Sequence, residues 1–264
     1  MIDLNKLSGA PMASWKRQIV EVLSKPLGVT FTRKGAAWEL IEPEQLERFL
    51  AVFRIDCVFD VGANIGQYAA RLREIGFKGL IVSFEPNPDV AQVLRNAARG
   101  DDKWVVEELA LDEISRPLTF NVMKSSQFSS LHEPDHTGVA TFVELNAVER
   151  RIDVTTQTLD TVFPALHAKY KFSRPFLKMD TQGHDVAVAK GAGPYLVRFA
   201  GLQSELALTN LYKDQPGFAE VLEFYKNAGF RLSALVPNNA GHFPDLNEVD
   251  CIMYNPSFYE PPAS

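Results

Sequence analysis

Residues 180–185, Asp-Thr-Gln-Gly-His-Asp, gather two carboxylates, a carboxamide and an imidazole in one short run. The run follows an apolar segment, residues 176–179, that reads as a short strand. Asp180 therefore stands at a strand end, where open parallel sheets bind ligands. A carboxylate there can take a proton from a hydroxyl or orient it, and an imidazole titrating at about pH 6.5 can do the same with little tuning. Asp180 is the first candidate for a catalytic base and His184 the second; a place in a helix-start capping network is the structural role open to His184. A second run, residues 57–66 (CVFDVGANIG), ends an apolar stretch at Asp60 and turns on Gly62. Such a turn sets free helix amides beside a surface without side chains, which suits the ribose, adenine or carboxylate of a nucleotide-like cofactor. A pyrophosphate is disfavoured, because Asn64 stands where G-x-G-x-x-G needs its middle glycine. Glu85 closes the next strand-like segment, residues 80–84, at the distance where doubly wound folds place an acid for ribose hydroxyls.

The elements that must hold these groups follow from periodicity. Ile65, Ala69, Leu72 and Ile75 form one helical face, ended by Gly76. A second helix starts at Asn87-Pro88, presents Val90, Val93, Leu94 and Ala97, and closes at Gly100. Residues 104–111 read as a third strand, 118–123 as an extended piece and 152–158 as an alternating strand. Between the last two, the polar residues 124–136 surround Phe128 in a loop that is either a substrate lid or a surface connection. Leu46, Phe49, Leu50 and Phe53 mark a helix after Pro43, and Phe218, Val221, Leu222 and Tyr225 another ended by Gly229. Residues 231–236 and 249–254 pair as an antiparallel hairpin. On this assignment Gly62, Glu85, Asp180 and Glu205 all fall at the carboxyl edge of the strands.

At these segments the chain resembles a known family. Residues 58–67 (VFDVGANIGQ) with 83–88 (SFEPNP), then Leu159-Asp160-Thr161, residues 176–192 (FLKMDTQGHDVAVAKGA) and 203–212 (QSELALTNLY), look like the successive blocks of the FkbM-type S-adenosylmethionine-dependent methyltransferases. The resemblance implies a single doubly wound, mostly parallel α/β sheet of about seven strands, a Rossmann-like fold. It also implies S-adenosylmethionine as cofactor and methylation of a hydroxyl. On that reading Gly62 and Gly66 allow close approach, Asp60 organises the loop or meets the methionine amino group, and Glu85 accepts both ribose hydroxyl protons. Asn64 lies in the same loop, while Asn87 either approaches the nucleoside or only caps its helix. The family's recurring acid, Gln-Gly pair and closing acid match Asp180, Gln182-Gly183 and Asp185; the closing acid is usually a glutamate, so Asp185 has a shorter reach. Gln182, Asp185, Glu205, Tyr212 and Phe128 are expected at the acceptor, the two aromatics by stacking or else as core residues.

The totals narrow the partners. With 264 residues, 46% of them hydrophobic, the chain can bury a sizeable core, here assigned to one domain over residues 43–254, with an N-terminal extension (1–42) and a loose tail (255–264). Lys+Arg 27 against Asp+Glu 33 gives a net charge of −6, which excludes a general attraction to nucleic acid. Cys57 and Cys251 read as buried reduced thiols. Residues 15–23 suggest a short amphipathic helix packed as a flap, and no run is long and apolar enough to span a bilayer, so a cytoplasmic protein without membrane insertion is expected. His132-Glu133-Pro134-Asp135-His136 matches a zinc-protease pattern, but Pro134 breaks the helix that would align its histidines, and a chance match is expected. A divalent metal on Asp180, Asp185 and His184 is the weaker alternative to a metal-free site. The function expected is O-methylation of a small acceptor, favouring a sugar; a non-catalytic nucleoside-binding module and a nicotinamide-dependent oxidoreductase are the alternatives. The oligomeric state is not readable from one chain.

Overall fold

A strand buried on both faces needs helices on both sides, and β1 (Cys57–Val61) is such a strand. Cys57, Phe59 and Val61 enter one core and Val58 the other. The computed structural model describes residues 40–135, 144–237 and 245–261. The chain divides into units 1–40 and 41–264, and the second is described below. The helix expected at residues 15–23 and His136 lie outside the described residues.

After α1 (Ile41–Val52) and β1 come α2 (Gln67–Glu74), β2 (Leu80–Phe84), α3 (Pro88–Ala97) and β3 (Trp104–Glu107). A small sheet follows, made of β4 (Ala110–Leu111), β5 (Pro117–Met123) and β6 (Val148–Gln157), in the order β4-β6-β5. The chain then returns through α4 (Leu159–Tyr170), β7 (Pro175–Met179), α5 (Asp185–Gly191), β8 (Gly201–Ala207), α6 (Phe218–Asn227), β9 (Arg231–Pro237) and β10 (Glu248–Tyr254). The main sheet has seven strands in the order β3-β2-β1-β7-β8-β10-β9. β1, β2, β3, β7 and β8 are parallel, and β10 runs antiparallel to both β8 and β9. This is a doubly wound, mostly parallel α/β sheet with an antiparallel C-terminal pair. One face carries a phenylalanine cluster in which Phe59 meets Phe172 and Phe199 edge-on, at 5.4 and 5.3 Å, beneath residues of α4 and α6. On the other face Leu46, Phe49 and Leu50 of α1 and Leu72 of α2 pack over Val58, Phe176 and Ile252.

Several local expectations change. Residues 104–111 are not one strand: β3 ends at Glu107, and Ala110–Leu111 pairs with β6 in the second sheet. Ile65 precedes α2 and is exposed, leaving Tyr68, Ala69 and Leu72 to face the core. The buried side of α3 is Ala91 and Leu94, with Ala98 just beyond, and Val93 faces solvent. Glu205 lies inside β8 rather than at its end, since pairing with β10 carries β8 on to Ala207. The tail is tied down through residue 261: Asn255 Nδ2 donates to Val197 O at 2.9 Å, and the Arg174 guanidinium covers the Phe258 ring. Among the described residues no helix is long and apolar enough to cross a membrane.

One row of side chains under the carboxyl edge is polar although it is buried. Ser83, Asp60, Lys178 and Gln203 are register neighbours on β2, β1, β7 and β8. Lys178 Nζ lies 3.1 Å from Asp60 Oδ1, and Ser83 Oγ donates to Asp60 Oδ2 at 3.2 Å. Gln203 Nε2 donates to Glu42 Oε1 (2.8 Å) and its Oε1 accepts from the Tyr68 hydroxyl (2.9 Å). Burial works against the ammonium of Lys178, yet the charges of Asp60 and Asp180 hold its pKa well above the ordinary value. Removing one partner of such a pair strands the other charge, a cost of about 3–5 kcal/mol, whereas neutralising both is far cheaper. Lys178→Met is therefore expected to lose stability on that scale in urea unfolding, and adding Asp60→Asn to recover most of it; equal losses in the single and double variants would contradict the pairing.

Candidate active site

The loop after β1 is clipped to the end of β2. Gly62 and Ala63 donate their amides to Phe84 O, at 3.1 and 3.0 Å, and the Asn64 amide donates to Glu85 Oε2 at 3.0 Å. Glu85 Oε1 accepts from the Asn87 amide at 2.9 Å, and Asn87 Oδ1 caps α3 through the Asp89 amide. Asn64 has a φ of 48°, a left-handed conformation that asparagine tolerates better than most residues. Its Oδ1 accepts from Ser126 Oγ at 3.0 Å, so the side chain in the place of a pyrophosphate glycine fastens a neighbouring loop. Gly62 is required by contact: with φ at 74°, a Cβ there would come within 2.0 Å of Asp180 O. The loops after β1 and β7 thus touch backbone to backbone.

These loops border a cavity of about 440 Å³. Of the positions singled out in the sequence, Gly62, Asn64, Glu85, Asn87, Phe128, Asp180, Gln182, His184 and Glu205 line it. Four do not. Asp60 is fully buried beneath, engaged with Lys178 and Ser83. Gly66 makes room for Leu94 and Trp104, whose atoms lie 2.8 and 2.9 Å from where its Cβ would be. Asp185 is a scaffold group: its carboxylate accepts from the Thr181 amide (2.8 Å), Ser204 Oγ (2.9 Å) and the Glu205 amide (3.0 Å), joining the loop after β7 to β8. Tyr212 offers no stacking face, being 0% exposed, with its hydroxyl 2.9 Å from Phe128 O and 2.8 Å from Gln182 Oε1. Ser130 Oγ donates to Gln182 O at 2.7 Å. The stretch containing Phe128 is therefore fastened against the cavity at three points.

His184 is held by residues that the sequence did not single out together with it. Its Nε2 lies 2.9 Å from Asp112 Oδ1 and its Nδ1 3.0 Å from His132 Nε2. His132 also makes a backbone hydrogen bond at Lys213 that favours its protonated form, so that partner is an acceptor. Asp112 and His132 thus engage both ring nitrogens of His184. Burial pushes the Asp112 carboxyl up, but the hydrogen bonds from His184 and the Glu113 amide outweigh it and hold the pKa at about 2. Burial, then the neighbouring His184, lower the pKa of His132. With both ring nitrogens engaged by protein partners, His184 has none turned toward a substrate hydroxyl. Asp180 is open to one: its side chain is 41% exposed, with Gln182 Nε2 on Oδ1 at 2.8 Å and Lys178 Nζ 3.7 Å from Oδ2. Asp112 lies just past the segment 104–111 and carries no local signal, its partner being 72 residues away; His132 stands out only in the zinc-like pattern. Among the described residues no group of three or more His, Cys, Asp or Glu side chains is arranged to hold a metal.

Strand order divides the cavity. On the β2–β3 side Phe84, Val90, Leu109 and Leu111 make an apolar slot; on the β7–β10 side the lining is Lys178, Asp180, Gln203, Glu205, Glu248 and Asp250.

An α/β sheet of this order, with a glycine loop and an acid at adjacent strand ends, opens its ligand-binding edge at the carboxyl ends of the strands. The chain belongs to the FkbM methyltransferase domain family, whose profile matches residues 60–232. No curated protein sequence matches the chain. Solved structures similar to it include an S-adenosylmethionine-dependent methyltransferase from Aquifex aeolicus, with 14% identity over 89% of this chain and 96% of that one, at a TM-score of 0.40. A fibrillarin from Methanococcus jannaschii gives 12%, 76%, 66% and 0.43 in the same order, and an Aeropyrum pernix fibrillarin with natively bound S-adenosyl-L-methionine gives 11%, 75%, 66% and 0.39. No residue role is taken from them. S-adenosylmethionine is the cofactor of this family, and membership leaves the oxidoreductase alternative without support.

Burial raises the pKa of Glu85 to about 7, the amides of Asn87 and Asn64 opposing it. A carboxyl raised in this way stays protonated in the native state after the unfolded chain has released its proton. Its contribution to stability is complete below about pH 4.5 and lost as the pH rises through about 7. Binding of hydroxyl donors has the opposite sign, because the ionised form is the acceptor. The affinity for S-adenosylhomocysteine is expected to rise from pH 6 to pH 8 in calorimetry, to lose that dependence in Glu85→Gln, and to fall roughly ten- to hundredfold in Glu85→Ala, at about 1.4 kcal/mol per tenfold change. Unchanged affinity in both variants would take Glu85 out of the cofactor site.

Proposed function

We propose that the chain transfers a methyl group to a hydroxyl oxygen of a small acceptor, a sugar or a related alcohol. The observation that carries the reading is Asp180, a half-exposed carboxylate at the end of a central strand, beside the loop that receives the cofactor. S-adenosylmethionine, when bound, supplies a methyl group activated by its sulfonium charge. An alcohol is a poor nucleophile at neutral pH and gains from a base within hydrogen-bond reach. Asp180 serves as that base, its orientation set by Gln182 and its charge moderated by Lys178. The Asp112–His184–His132 chain positions the loop after β7, and Glu205 lines the space beyond Asp180 where the acceptor's other polar groups would lie. Phe128 offers an apolar side.

The test is single-turnover methylation of a panel of sugars and alcohols, read by mass. Asp180→Asn is expected to lower the rate by roughly 10² to 10⁴ while S-adenosylhomocysteine binds near normally. His184→Ala should change the rate mainly through stability. A parent rate in Asp180→Asn would remove the base, and cofactor binding without a methylated product from any acceptor would favour the non-catalytic module.

A further inference from the structure

The far wall of the cavity is acidic beyond what a neutral alcohol needs. Glu205 on β8 and Asp250 on β10 are direct register partners, and Glu248 precedes Asp250 by two residues, so all three project from the same face of the sheet. All three line the cavity. Glu248 and Glu205 are hydrogen-bonded to one another, which places a proton between two carboxyl groups, and Gln182 Nε2 donates to Glu205 Oε2 at 3.2 Å. The remaining oxygen of Glu248, Oε1, has no hydrogen-bond partner, although the residue is only 6% exposed. A buried polar atom left unpaired costs roughly 1–3 kcal/mol, more for a charged group, and a ligand donor recovers it. The nearby cations are already engaged, Lys178 with Asp60 and Asp180 and Arg71 with Glu42. Among the described residues neither Glu248 nor Asp250 makes an ion pair with a cation.

We propose that Glu205, Glu248 and Asp250 form a subsite for an ammonium group on the acceptor, so that the molecule methylated is an amino alcohol or amino sugar rather than a neutral sugar. The assignment of this wall to the acceptor rests on the methyltransferase reading above; the charge argument does not. A hydroxyl would satisfy Glu248 Oε1 but leave its charge unanswered once Glu248 ionises, whereas an ammonium answers both with charge-assisted bonds. Distance separates this wall from the cofactor. β10 stands four strand spacings from β2, about 19 Å across the sheet. The single bonds from a ribose oxygen to the amino group of S-adenosylmethionine span only on the order of 10 Å. Burial first, then the charges of Asp180 and Asp185, raise the Glu248 pKa to about 7, with the bond to Glu205 opposing them. Burial likewise raises Asp250 and Glu205, and Glu42 and Lys178 face the same space. Glu248 must ionise to hold an ammonium, so binding strengthens as the pH rises through about 7.

The experiment is calorimetry on the full chain saturated with S-adenosylhomocysteine, using trans-4-aminocyclohexanol and trans-cyclohexane-1,4-diol as probes. These differ only in an ammonium against a hydroxyl, and a primary amine stays protonated throughout the range used. The amine should bind at least tenfold tighter than the diol at pH 8 and lose about tenfold by pH 6, while the diol stays constant. Glu248→Gln should lose at least tenfold for the amine and keep its affinity for S-adenosylhomocysteine; Asp250→Asn gives the same reading if that variant folds poorly. Equal binding of the two probes, no amine binding at millimolar concentration, or competition between the amine and S-adenosylhomocysteine overturns the proposal. Failure of S-adenosylhomocysteine itself to bind would instead count against the methyltransferase reading, so the two failures are distinct.

Discussion

A lysine and an aspartate buried side by side in the middle of a parallel sheet constrain everything above them. Lys178 and Asp60 sit on adjacent strands in the middle of the sheet, each flanked along its own strand by buried apolar residues. Neither charge is tolerable there alone, so Ser83 is required on one side and the Gln203–Tyr68–Glu42 chain on the other. The row ties α1, through Glu42, and α2, through Tyr68, to four adjacent strands. It also draws the boundary between a dry core and a polar floor, since Val58, Ile81 and Phe176 two residues earlier on these strands belong to the apolar cluster.

On this floor the loops are joined by backbone contacts more than by side chains. The loop after β1 is pinned to β2 through amides, and it approaches the loop after β7 so closely that only glycine fits at position 62. Glu85 therefore acts twice: its two oxygens shape the loops on either side, and the remaining lone pairs face the cavity. The histidine pair does similar work at the other margin, where the Asp112–His184–His132 hydrogen bonds link the end of β4, the stretch after Phe128 and the start of α5. Rigid loops of this kind hold catalytic geometry with little reorganisation.

The architecture was legible where a signal was local. The glycine turn after an apolar run, the acid closing the next strand and the Asn87-Pro88 helix start are each written within a few residues, and a mostly parallel sheet follows from alternation of strands with helical faces. Roles decided by distant partners were not legible. Asp60 looked like a loop acid because its lysine lies 118 residues on, in a strand that read as plainly apolar. Asp112 and His184 meet across 72 positions. Tyr212 and Phe128 had equal claims as aromatics, and only burial separates them. The acidic wall was missed because Glu248 and Asp250 alternate with apolar residues, as in any half-buried strand, and only the insertion of β10 beside β8 turns them toward Glu205.

That insertion has a consequence for how the molecule is made. β10 is the last strand reached along the chain, yet it occupies an interior place, between β8 and β9. Until it arrives, β8 keeps a bare row of hydrogen-bonding groups and β9 has no strand to join. A chain emerging from the ribosome therefore carries an open row on β8 until this last described strand slots in. During synthesis, then, the place beside β8 is filled last, and until that step β8 is open to pairing with another chain.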